Sequence, residues 1–172
     1  MPIIPGWDGL HPLIIHFPIA LLFTVPLFVI LGAVFSPPWG RAFLLSALIL
    51  MVLGTASIFL AVETGQAAGE SARSRPAIQA AIDQHRDLAE STEVLFSVLT
   101  FAFAALLFVP KWIRAELIRT VNVALLAVFL IFYATGILFL VNTAHLGGML
   151  VHAMGVKSNV TPGASALVCP GH

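Results

Sequence analysis

Residues 120–141 read TVNVALLAVFLIFYATGILFLV, a run without a single Asp, Glu, Lys or Arg. At about 1.5 Å of rise per residue, a helix of this length matches the ~30 Å of hydrocarbon in a bilayer. Towards the N-terminus lie three more segments of the same character, at 12–35, 42–62 and 94–109, the last with an amphipathic lead-in from 88. All are too long and too continuously apolar for membrane barrel strands. The fold they imply is all-α: an integral membrane, up-and-down four-helix bundle forming one transmembrane domain over 1–156. Composition agrees. Of 172 residues, 59% are hydrophobic and 9% charged, against about 25% charged in a soluble domain.

The connections carry turn chemistry. Ser36-Pro37-Pro38-Trp39-Gly40 and Pro110-Lys111-Trp112 are short, whereas Glu63 to Glu93 forms one long polar stretch. Within that stretch Pro76 stands in a first-turn position before good helix formers, which predicts an outer surface helix able to run unbroken into the third span. Beyond the fourth span the helical pattern continues to Val156, with Gly147-Gly148 as a bend. Residues 157–172, with two prolines and two glycines, predict an extended periplasmic C-terminal arm.

Orientation follows from basic residues. Arg41, Lys111, Arg114 and Arg119 crowd the two short connections, whereas Arg73, Arg75, Arg86 and Lys157 are spread over the tails and the long one. The short connections are therefore cytoplasmic and both termini periplasmic. Trp7 then falls at the outer interface, and Trp39 and Trp112 at the inner one. The N-terminal tail lacks the positive region of a secretory signal, so the first helix is expected to be retained.

Every histidine lies on the outer side. Counted from the inner helix ends, His11, His85, His145 and Gln66 stand at one height, and His16, Glu63 and Glu90 about a turn deeper. Ionisable groups at membrane depth are costly and usually face the bundle interior. The cluster therefore suggests cofactor chemistry: neutral imidazoles ligate Fe and Cu, and Glu63, Glu90 and Gln66 could orient them from behind. Transverse haem b needs histidines on facing helices at matched height. His16 and His145 form the first candidate ligand pair, His11 and His85 the second. His152, seven residues beyond His145 on the same face, adds a second cofactor position or a propionate partner.

Each residue also has a plainer reading. His11 and His85 suit a headgroup region, and Glu63 and Glu93 suit interfacial carboxylates. His16 could repair a backbone bond that Pro18 cannot make. Gly54 and Gly136 suit close helix packing, His172 is terminal, and Cys169 suits an inert or partner-facing thiol. Several other chemistries are excluded. There is no basic run for nucleic acid, and no phosphate loop, nucleophile elbow, HExxH or EF-hand spacing. Glu90-Ser91-Thr92-Glu93 lacks the Glu-x-x-His pairs of a di-iron bundle. No charged residues run through the midplane as in a transporter.

Three stretches, HPLIIHFPIALL at 11–22, ETGQAAG at 63–69 and AHLGGMLVHAMGV at 144–156, resemble a bacterial four-span membrane family known as domain of unknown function 2231. His11, His16 and His145 match the family's motifs; His85 matches loosely, and the position of His152 is often aromatic there. Relatives fused to Rieske or cytochrome modules imply a membrane redox setting. The combined expectation is a multi-pass protein of a bacterial inner membrane that binds haem b, or a Cu or Fe ion, and transfers electrons within a larger complex. Quinone or a periplasmic cytochrome would be its exchange partner. The alternative is a cofactor-free accessory or assembly subunit, and a standalone enzyme fits least well in so small a chain.

The topology has a direct check. A membrane-impermeant maleimide is expected to label Cys169 in intact spheroplasts, and a cysteine placed by Ser36→Cys in a Cys169→Ser background only after permeabilisation. The reverse pattern would invert the orientation.

Overall fold

A computed structural model of the chain describes residues 10–71, 76–112 and 118–156. The expected Trp7 anchor, the 157–172 arm, Cys169 and His172 lie outside them. The described helices are α1 (His11–Ile14), α2 (His16–Val34), α3 (Trp39–Ser71), α4 (Pro76–Trp112) and α5 (Arg119–His152). Four stretches, with α1 and α2 counted together, are long and apolar enough to cross a membrane. α2 packs on α3, α3 on α4, α4 on α5 and α5 back on α2, while α1 lies against α3. The four long helices close a ring in chain order, so α2 faces α4 across a diagonal, and α3 faces α5.

As the sequence reading allows, the helix that begins at Pro76 runs unbroken into the third span as α4, 37 residues long. Two other boundaries differ. Gly147-Gly148 does not bend α5, which continues to His152. There packing overrides weak local preference. Ile78 and Ile82 of α4 meet Leu150 of α5 in a small apolar cluster that prolongs the seam beyond the main core. The first span, conversely, is interrupted at Ile15. Pro18 has no N–H to return to the Ile14 carbonyl, and its ring crowds that oxygen. At 33 to 37 residues, α3, α4 and α5 each run to about 50 Å, well beyond the ~30 Å of hydrocarbon.

The main core is narrow. Leu22, Val25, Val29, Met51, Phe96, Phe103 and Tyr133 are fully buried, whereas Phe17, Phe23, Leu27, Phe101, Ile131 and Phe132 face outward, as lipid-facing positions do. Trp39 and Trp112 are exposed at the end opposite the histidines. Lipid is as apolar as leucine, so helix contact depends on close fit and on hydrogen bonds. A Cβ on Gly54 would stand 2.7 Å from Leu22, and one on Gly136 would stand 3.0 Å from Leu99. Thr55 and Thr100 hydroxyls, 2.9 Å apart, join α3 to α4. Thr92 and Thr143, also 2.9 Å apart, join α4 to α5.

α2 and α5 are joined differently. Pro26 lies inside α2 and cannot donate to the carbonyl of Leu22, four residues earlier. Tyr133, the chain's single tyrosine, reaches across from α5 and donates its hydroxyl to that oxygen at 2.9 Å. Its ring is held edge-on by Phe96, with centroids 5.6 Å apart, and it packs on Phe129 at 5.7 Å. At the opposite end Arg119 of α5 caps α2, donating to the Val34 carbonyl at 3.0 Å and to Ser36 Oγ at 3.3 Å.

Tyr133→Phe keeps the ring and leaves the Leu22 carbonyl unpaired. The expected loss is about 1–2 kcal/mol in reversible unfolding from mixed detergent, with helix content unchanged.

Candidate functional site

At the histidine end the ring of helices opens around a cavity of about 440 Å³, within the range of small-molecule sites. α1 and the start of α2 supply Pro12, Ile15, Pro18 and Ile19; α3, α4 and α5 supply the rest of an apolar wall that includes Ile58, Ile82, Leu140 and Val151. The interruption at Ile15 lies at the cavity, and Ile15 itself is part of the lining. The Ile78, Ile82 and Leu150 cluster closes the seam between α4 and α5 at the cavity's outer edge.

Two half-buried histidines, His11 and His85, occupy opposite sides of this cavity. His11 stands on α1, beside α3, and His85 on the diagonally opposed α4. Each ring lies on a glycine of the following long helix. A Cβ on Gly65 would be 2.9 Å from His11 Cε1, and one on Gly147 would be 3.1 Å from His85 Cε1. A larger residue at Gly65 would force the His11 ring to shift, and one at Gly147 would crowd the His85 ring. The resemblance goes further. His11 Nδ1 lies 2.9 Å from the carbonyl of Ala61, four residues before its glycine. The carbonyl of Thr143, four residues before Gly147, also lies near the His85 ring, without a hydrogen bond to Nδ1. Two helical hairpins, α1–α3 and α4–α5, thus present one imidazole each in a roughly two-fold arrangement.

The hydrogen bonding of the two rings is unequal. A carbonyl only accepts, so His11 Nδ1 is the protonated nitrogen and Nε2 keeps its lone pair. Thr64 Oγ1, which donates to Leu60 O at 2.8 Å, accepts from the same Nδ1–H at 3.3 Å. His85 Nδ1, by contrast, is buried without a hydrogen-bond partner. Near the rim Gln66 Nε2 donates to Glu90 Oε1 at 3.4 Å, and Arg86 Nε donates to the same oxygen at 2.8 Å.

The other candidates are placed differently. His16 and His152 are exposed and reach the cavity only at its edge, and His16 makes no hydrogen bond that would repair the backbone at Pro18. His145 is exposed and does not line the cavity. The structure therefore does not bring His16 and His145 together as a facing pair. The cause is rotation: at 100° per residue, His145 sits about 200° round α5 from Gly147. Glu63 is exposed off the cavity wall, and Glu90 acts through Gln66 and Arg86. Sequence reasoning did not single out Gly65 or Gly147 as seats, although both stand beside polar residues in otherwise helical runs. Among the described residues no three His, Cys, Asp or Glu side chains are grouped so as to hold a bare metal ion. The half-buried donors on the cavity wall are the imidazoles of His11 and His85.

A glycine series tests the seats. Gly→Ala in a helix normally stabilises by about 0.5–1 kcal/mol, and Gly148, with nothing within 4 Å of its Cβ position, is expected to show that gain. Gly65→Ala is expected to lose stability by about 1 kcal/mol or more as His11 is pushed off Ala61. Gly147→Ala falls between. Thermal unfolding in detergent ranks the three, and equal gains at all of them would contradict the seats.

A family model described as a predicted membrane protein, DUF2231, matches residues 8–159. No curated protein and no solved structure matches the chain.

Proposed function

The chain belongs to the DUF2231 family of predicted membrane proteins, and from that premise we propose that it is a membrane redox protein holding haem b between His11 and His85. The observation that carries this reading is that the half-buried imidazoles of His11 and His85, on diagonal helices, line one apolar cavity. A bare Cu or Fe ion would need further protein ligands. A haem carries its own nitrogen donors and would need few from the protein; His11 and His85 would hold it. When bound, the group would supply a one-electron couple.

The chain's own residues would do the rest. Ala61 and Thr64 hold His11 in the tautomer whose Nε2 can bind metal, a hydrogen bond that also raises ligand basicity. Gly65 and Gly147 allow the rings to lie flat against their helices and keep the space between them open. Pro18, Ile19, Ile58, Ile82 and Leu140 exclude water from the faces of a planar group. In this reading the cavity lies at the periplasmic side of a bacterial inner membrane. A quinone from the bilayer or a periplasmic cytochrome could reach it there, as in an electron-transfer subunit of a larger complex.

The second reading, a cofactor-free accessory subunit, rests on the His11–Ala61 hydrogen bond acting only as a peg between α1 and α3. A reduced-minus-oxidised absorption spectrum with iron analysis, on protein purified in mild detergent from haem-replete cells, separates the two. A sharp b-type α band with close to one iron per chain is expected. A colourless, iron-free protein that co-purifies with other subunits would establish the accessory role instead.

A further inference from the structure

We infer that the two imidazoles are unequal ligands: His11 is the fixed one and His85 the exchangeable one, so that the cavity admits a small neutral diatomic molecule on the His85 side. The inference rests on the haem reading above and adds to it the chemical class of a second ligand. It begins from the asymmetry within an otherwise two-fold arrangement. His11 Nδ1–H is bound to Ala61 O at 2.9 Å and shared with Thr64 Oγ1, and both acceptors belong to the body of α3. Such a bond fixes the ring's orientation and increases the electron density at Nε2, which strengthens and directs a metal–imidazole bond.

His85 lacks that support. Its Nδ1 is buried with no hydrogen-bond partner, although the Thr143 carbonyl approaches the ring. The Thr143 hydroxyl donates to Phe139 O at 2.9 Å and meets Thr92 Oγ1, so the side chain is engaged elsewhere. The ring is therefore positioned by its packing against Gly147, without a hydrogen bond at Nδ1 to fix its orientation. A ligand that is neither oriented nor made more basic by its surroundings is the one displaced. The wall around it is apolar, and Gly148 beside the seat has nothing within 4 Å of its Cβ position. Carbon monoxide, nitric oxide or dioxygen is small and uncharged enough to enter such a space, whereas a charged ligand would be desolvated without a partner.

The test uses the intact chain in detergent, loaded with haem and reduced with dithionite, with carbon monoxide as probe. Carbon monoxide is expected to bind at close to one per haem without change in helix content or elution volume. His85→Ala is expected to keep the haem and bind carbon monoxide more tightly. His11→Ala is expected to lose haem affinity by at least about tenfold more than His85→Ala does, the scale of lost support at a ligand. Gly147→Ala, which crowds His85 without removing it, serves as a second variant and is expected to raise carbon monoxide affinity. Haem that keeps both imidazoles and binds no carbon monoxide in the unmodified chain and in Gly147→Ala would overturn the inference and leave the haem reading standing. Loss of haem in His85→Ala with retention in His11→Ala would reverse the assignment. Absence of any haem in the unmodified chain removes both readings, and the iron analysis tells that case from the others.

Discussion

A carbonyl that loses its helical partner inside a bilayer has no water to turn to. In α2 that carbonyl is Leu22 O, freed by Pro26, and the hydroxyl of Tyr133 in α5 accepts the task at 2.9 Å. The cost of leaving such a group bare fixes more than one bond. It sets the register and rotation of α2 against α5, the contact that closes the ring, because a shift of either helix by a residue withdraws the hydroxyl. Phe96, Phe129 and the close approach at Gly136 lock the ring that carries it. The two hairpins meet through this point and through the Arg119 cap at the other end. The core can accordingly be thin, with most large apolar side chains turned outward.

The site inherits its geometry from that frame. With α2 fixed against α5, α1 lies against α3, and His11 comes to rest on Gly65. On the other side α4 is fixed to α5 by Thr92 and Thr143, so His85 comes to rest on Gly147. Proline thus acts twice in the first span with different outcomes. At position 26 the freed carbonyl is satisfied and α2 continues; at position 18 it accompanies a one-residue interruption at Ile15, and both residues line the cavity. The two hairpins treat their histidines alike in placement and unlike in hydrogen bonding, and that difference separates a firmly held imidazole from a loosely held one.

Much of this was legible in the sequence, and for identifiable reasons. Continuous apolar runs the length of a bilayer leave little freedom, so four helices and their order follow from counting. The continuation of α4 and α5 past the membrane was legible as well, and His11 and His85, counted to one position, both line one cavity. Azimuth was not. An all-round apolar helix has no polar stripe to show which side faces inward, so His145 is turned about 200° from the face that receives His85. The seats at Gly65 and Gly147 escaped notice because glycine in a membrane helix signals close approach without saying what approaches. Nor could the sequence show that Ile78, Ile82 and Leu150 meet, a contact between residues far apart in the chain.

The central claim, that Tyr133 is where it is because Pro26 leaves Leu22 O unpaired, is tested most directly by a double-mutant cycle. Unfolding free energies of the unmodified chain, Pro26→Ala, Tyr133→Phe and the double variant are compared in one detergent mixture. Restoring the N–H at position 26 gives the carbonyl a partner, so removal of the tyrosine hydroxyl should then cost little, with a coupling of about 1 kcal/mol or more between the two substitutions. Additive losses, agreeing within about 0.5 kcal/mol, would mean that the hydroxyl and the proline act independently, and the account of how the two hairpins are joined would fail.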